Sequence, residues 1–183
     1  YFFGVRTLNK TNSNLFADKM IVAKWGGTEF KFYEFNITTT PGTQFLNDLI
    51  YNKDGTLVLA SPQYIKNAFK FHNHRGTYLA LGQANTFYFW RDKNRNKKPD
   101  DSPSEKVTLQ TANDTGVNIH RAGADKKTTV ISGAQGTKPT TAYKYQDGKW
   151  TKIQTDAYTY SAGCQVFSDP VDFNNFLDLV AKD

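Results

Sequence analysis

Cysteine is nearly absent from this chain: there is one, Cys164, in 183 residues, and methionine is equally scarce. A single thiol excludes any intrachain disulfide, so nothing covalent staples the fold. In an oxidising compartment a retained free thiol also calls for a reason, because idle ones are penalised there. Long apolar runs are missing too, which leaves no candidate for a bilayer-crossing helix. The opening YFFGVRTLNK has neither an initiator methionine nor a secretory apolar core. Such a start fits a processed or excised chain and leaves the compartment open. Helix-turn-helix, zinc-finger and RNP signatures are lacking, and so are internal repeats at solenoid or propeller periods. With no such signature and lysines scattered rather than clustered, nucleic acid is not an expected partner.

What is present fits one globular domain. The length supports one good core and not two, so residues 1–183 read as a single domain. Hydrophobic residues make up 38% and aromatics 15%, well outside the composition of disordered chains. Lys and Arg number 23 against 17 Asp and Glu, a net charge of +6 that favours anionic surroundings such as nucleic acid, anionic lipid or cell-wall polymer, and the sign alone does not choose among them.

Short runs rich in aromatic and β-branched residues recur between turn residues: MIVAKW, TEFKFYEFNITTT, GTLVLA, TYLALGQ, NTFYFWRD, KVTLQT, GVNIHR, TAYKY, KWTKI and CQVF. Their lengths are those of strands, so the expected class is mostly β. YKYQDGKWTKI reads as a hairpin turning at Asp147-Gly148, a dipeptide that tolerates positive φ. SDPVDFNNFLDLVAKD reads as one C-terminal helix, with Asp169 as cap and Pro170 at the first position. Val171, Phe173, Phe176, Leu177 and Val180 supply its apolar stripe. Residues 93–106 and 124–141 are poor in large apolar side chains and read as surface loops.

Two fragments carry the chemistry, NIHRAG over 118–123 and YSAGCQVF over 160–167. A thiol attacks carbonyls as thiolate, so a working cysteine needs a neighbour that takes its proton, and imidazole suits neutral pH. His120 is the candidate base. Glycine at 163 lets the chain bend tightly and bring backbone N–H groups toward a developing oxyanion. The competing reading is inert packing, since free cysteine is among the most buried residue types. SAGCQ is, however, too polar and glycine-rich for an ordinary core strand.

The pair IHRAG and YSAGCQVF resembles the motif pair of L,D-transpeptidases of the YkuD-like type, a histidine-glycine segment followed by Ser-His-Gly-Cys. It is closer to a group of often phage-encoded proteins carrying Asn-Ile-His-Arg-Ala and Ser-Ala-Gly-Cys-Gln-Val in this order. TTTPG, GTLVLASPQY, HRGTYLALGQ and RDKNRN resemble the same group, so the likeness runs from about residue 12 to the C-terminal helix. It implies an L,D-transpeptidase-like β-sandwich or barrel with long loops, acting on peptidoglycan stem peptides without a cofactor. It makes Cys164 the nucleophile, His120 its base, Ser161 and Gly163 the shapers of the cysteine loop, and the backbone at Gly163 and Cys164 the oxyanion donor. The thioester formed can go to an amine or to water, giving cross-linking or hydrolysis, and the phage relatives favour hydrolysis. The implied setting is extracellular, at the cell envelope or in a phage virion. The sequence departs from the family at Arg121, where glycine is usual, at Ala162, which replaces histidine, and at Gln165 and Val166. A binding or structural module of a virion or cell surface, built on the same fold, is the alternative.

Substrate contacts are expected from Arg121, whose fork suits a carboxylate, and from His74, Gln83 and Asn118. His72 and His74 lie two apart and on a strand would share a face, but no third Cys or His lies nearby to complete a zinc site. Asp92, Asn94 and Asn96, with Asp100 or Asp101 beyond, alternate as calcium ligands do. They lack the sharp-turn glycine and bidentate glutamate of an EF-hand and sit among lysines and arginines. A solvated loop is the expected reading, and no metal site is assigned.

Overall fold

A computed structural model describes residues 1–7, 15–42, 55–76, 78–94, 108–110, 116–122, 128–131, 140–146, 149–155 and 163–181. The segments 108–110, 128–131, 140–146 and 149–155 are described by backbone pairing alone. The described chain is mostly β, with thirteen strands and one helix near its end.

Seven strands form one mixed sheet. They are β1 (Phe2–Val5), β2 (Asp18–Trp25), β3 (Phe30–Thr38), β5 (Phe69–His74), β6 (Tyr78–Gln83), β9 (Asn118–Arg121) and β13 (Gln165–Phe167), ordered β1-β2-β3-β13-β9-β6-β5. β4 (Thr56–Leu59), β7 (Phe87–Asp92) and β8 (Thr108–Gln110) make a smaller sheet in the order β4-β7-β8. β10 (Thr128–Ile131), β11 (Thr140–Gln146) and β12 (Lys149–Thr155) make a third. The hairpin expected around Asp147-Gly148 is present as a β11–β12 ladder running down to Gln146 opposite Lys149. The two turn residues lie outside the described residues. β10 corrects the reading of 124–141 as a loop throughout: Thr-Thr-Val-Ile is β-branched at every position and pairs with β11. β1 and β5 also fall outside the expected strand runs.

Alternation along the large sheet gives its two faces different jobs. One carries Met20, Val22, Phe35, Ile37, Leu81, Ile119 and Phe167, all buried, and forms the main core. The helix α1 (Pro170–Ala181) covers it. Asp169 caps α1, accepting the Val171 N–H at 2.7 Å, and Pro170 takes the first position, where a missing N–H costs nothing. Phe173, Phe176 and Leu177, spaced i, i+3 and i+4, point into the core. Val171, expected in the apolar stripe, is 62% exposed, because that position faces away from the sheet. Phe167 packs on Phe173 and Phe176 with ring centroids 5.3 and 4.9 Å apart. The sheet is strongly curled: Phe2 of its first strand and Phe69 of its last lie 6.0 Å apart across the core. Asp18 is fully buried and ties the N-terminal segment to the end of β3, accepting from Thr7 N and from Thr39 N and Oγ1.

Candidate functional site

The opposite face of the same sheet gathers the residues of chemical interest. β13 runs parallel to β9 with Gln165 beside Ile119 and Val166 beside His120, so the next position back sets Cys164 beside Asn118. Asn118, His120, Cys164 and Val166 therefore share the face turned away from α1. β5 pairs with β6, placing His72 opposite Ala80 and His74 opposite Tyr78. β6 pairs with β9, placing Gly82 opposite Asn118. All three histidines and the lone cysteine thus lie on one side of four adjacent strands.

Small residues on β6 make this gathering possible. Ala80 and Gly82 present almost nothing above the sheet, so the rings of β5 can lean across β6 toward β9. A Cβ at Gly82 would stand 2.9 Å from His72 Cδ2, inside the closest approach real side chains allow. His74 stacks on His120 with centroids 4.7 Å apart and planes 13° from parallel, and His72 meets His74 edge to face at 5.8 Å. The β5–β6 turn runs through Arg75 and Gly76, both at positive φ (50° and 69°). Arg75 is thereby set where its charge reaches His74, His120 and Cys164.

His120 is held in one tautomer. Its Nδ1 lies 2.8 Å from the Arg121 carbonyl oxygen, which can only accept, so Nδ1 carries the proton and Nε2 of the neutral ring keeps its lone pair. Burial pushes His120 down to about 3, with the charges of His74, Arg75 and Arg121 adding to it and the hydrogen bond to the Arg121 carbonyl opposing it. Burial, then Arg75 and His72, push His74 down to about 4. Both rings are neutral at pH 7.

Cys164 is half-buried, packed with Phe16 against Ala122 and Val166. Burial pushes its thiol up; the backbone and side-chain N–H groups of Asn118 and the charge of Arg75 pull the other way. Asn118 Nδ2 stands 3.9 Å from the sulfur while donating to Gly116 O at 2.6 Å. The resting state is therefore a protonated thiol on the same sheet face as a neutral imidazole, with Asn118 donors already in place for a thiolate. His120 sits two positions along from the partner of Cys164, a diagonal of about 8 Å between Cα atoms that an aromatic side chain can span. Gly163 holds φ +130°, a conformation glycine tolerates and other residues resist. A Cβ there would also press on the side chain and carbonyl of Leu57, each at 3.1 Å.

No known protein family, curated protein or solved structure matches the chain. The site must be read from its own residues. Asn118 stands at Cys164, next to Gly163, and the stacked His120 and His74 lie on the same face of the sheet. Gln83 does not: it points to the α1 side of the sheet and donates to Asn85 O at 2.8 Å. The Arg121 side chain also starts on that side, and its guanidinium lies 4.5 Å over the Tyr78 ring. Its carbonyl serves the site instead, accepting from His120 Nδ1 and, at 3.4 Å, from the Tyr78 hydroxyl. Burial holds Tyr78 up at about 12, so it stays a donor. Ser161 lies outside the described residues, as does most of the 93–106 segment read for calcium. Among the described residues no three His, Cys, Asp or Glu side chains are grouped to hold a metal, and no helix is long and apolar enough to cross a membrane.

Sequence reasoning missed Arg75 and the Ala80/Gly82 gap. The available signal was TYLALGQ itself, a strand with Ala80 and Gly82 at successive positions of one face.

Proposed function

We propose that the chain is a cysteine-dependent enzyme of the L,D-transpeptidase type, cleaving or transferring stem-peptide bonds of peptidoglycan. The observation that carries the reading is the shared face of adjacent strands that holds Cys164, with Asn118 Nδ2 3.9 Å from its sulfur, and His120. In this mechanism His120 Nε2 takes the thiol proton as the sulfur attacks a stem-peptide carbonyl. The C–S bond forms, the C–N bond breaks, and the imidazolium returns the proton to the departing amine. Water or a second amine then releases the thioester, and the phage resemblance favours water. Buried, low-basicity His120 makes a poor partner for a standing ion pair, so proton transfer is concerted with attack. Under the same reading the curled sheet is the family's sandwich or barrel. The net charge of +6 draws the protein to anionic wall polymer, outside the cell, at its envelope or in a phage particle.

The test is incubation with purified stem tetrapeptide and with sacculi, followed by mass spectrometry. The expected result is a thioester on Cys164 and a shortened or cross-linked peptide, both lost in Cys164→Ala. Turnover by Cys164→Ala at the wild-type rate would refute it.

One observation favours a second reading, a binding module for wall material or a virion subunit. Trp25, Phe30 and Phe32 are 56%, 47% and 68% exposed at the β2–β3 tip, a large apolar patch for open solvent. Sacculus retention without any thioester would select it.

A further inference from the structure

A cavity of about 710 Å³ opens on the α1 side of the sheet, away from Cys164, where the curled sheet fails to close. Its walls are the first strand, the 60–68 segment leading into β5, and the side chains of Gln165 and Val180. Aromatic and aliphatic groups dominate it. Among its described lining residues are Arg6 and Lys66 but no carboxylate.

Among the described residues, the outer edge of β1 faces this space without a pairing strand. Tyr1 and Ala23 exchange both backbone bonds, Tyr1 N to Ala23 O at 3.0 Å and Ala23 N to Tyr1 O at 2.8 Å. In an antiparallel ladder that fixes the alternation: Tyr1, Phe3 and Val5 bond to β2, while Phe2 and Gly4 turn their N–H and C=O outward. β1 is the sheet's edge, and both Phe2 and Gly4 line the cavity. Gln165 supplies a second, independent sign. It is 6% exposed, it lines the same cavity next to Gly4, and its Nε2 has no hydrogen-bond partner among the described residues. A buried amide with idle donors and a strand edge with idle donors and acceptors lack the same thing, a run of peptide groups.

We propose that this cleft binds an extended, apolar peptide segment that adds as a strand to the Phe2–Gly4 edge, with a carbonyl received by the Gln165 amide and a side chain in the apolar cavity. Main-chain bonds supply the affinity, and the absence of lining carboxylates admits neutral or acidic sequences. The site is separate from the thiol and does not depend on the proposed enzymatic reading.

Fluorescein-labelled hexapeptides alternating valine with threonine or with glutamate are the probes, read by anisotropy and by amide exchange in NMR. Bound peptide is expected to slow exchange of the Phe2 and Gly4 amides at least tenfold. Gly4→Pro removes an outward N–H without touching the β2 ladder, and it should weaken binding at least tenfold, as should Gln165→Leu. The same peptides with N-methylated backbones need no protein variant and should not bind. Absence of binding at millimolar peptide, unchanged Phe2 and Gly4 exchange in the complex, or equal affinity for the N-methylated peptides would each overturn the proposal.

Discussion

Lowering the pH from 7 to 5 should remove a substantial part of this protein's stability through two rings. His74 and His120 are buried, 7% and 5% exposed, and held down to about 4 and about 3. In the unfolded chain each titrates near 6.5. The unfolded state therefore takes protons first as pH falls. The contribution is fully present above about pH 6.5 and drains away between there and the folded values. At pH 5 the unfolded ring is almost wholly protonated and the folded one is not, so each costs about 2 kcal/mol, whatever its folded value below 5. Together they remove up to about 4 kcal/mol, a large share of the ~5–15 kcal/mol typical of a domain. Urea unfolding at pH 7, 6 and 5 measures it, with His74→Gln/His120→Gln as the reference. The wild type should lose about 4 kcal/mol more than the double variant across that range. Parallel pH profiles for the two proteins would show that the stacked rings are not the desolvated pair described above.

Three further expectations follow from the same geometry. Cys164 should react with iodoacetamide at pH 7 more slowly than a free thiol, about 3% ionised there, with each tenfold weakening of the acid slowing alkylation about three- to fourfold; the rate should climb through pH 9 without a plateau, and a plateau near neutrality would indicate a preformed ion pair. Gly163→Ala should cost about 1–3 kcal/mol from its φ and its approach to Leu57, seen as a lower urea midpoint with unchanged slope. Asp18→Ala strands the buried N–H and hydroxyl of Thr39 and should cost about 2–4 kcal/mol by the same measure.

The strands were legible because apolar and β-branched residues alternate over the right lengths, and the helix because its cap and i, i+3, i+4 spacing sit in one segment. The placement of His120 and Cys164 on one face of adjacent strands was only a hypothesis in one dimension. It arises from a parallel β9–β13 ladder between segments 44 positions apart, and no local pattern encodes such pairing. Phe2–Val5 escaped because FFGV is too short to alternate visibly and shows its role only through its partner β2. Phe69–His74 escaped as a strand because two of its polar alternate positions, His72 and His74, belong to a histidine cluster that only the fold assembles. Arg75 escaped because an arginine in a turn reads as solvated surface, which it is, and only the folded turn brings its charge within reach of the buried rings. Gln83 was misplaced by one step of the pleat: its neighbour Gly82 is on the thiol side, so Gln83 is not.

β13 is the last strand of the large sheet along the chain and yet its middle strand in space, antiparallel to β3 on one flank and parallel to β9 on the other. Until residues 165–167 are in place, β1-β2-β3 and β9-β6-β5 are two separate ribbons, each with a raw inner margin able to zip onto a neighbouring molecule. Assembly is then governed by its latest piece, and slow, long-range closure is the expected kinetic habit. Any shortened version ending ahead of Gln165 would present two sticky half-sheets in place of a destabilised whole, and should precipitate sooner than it melts.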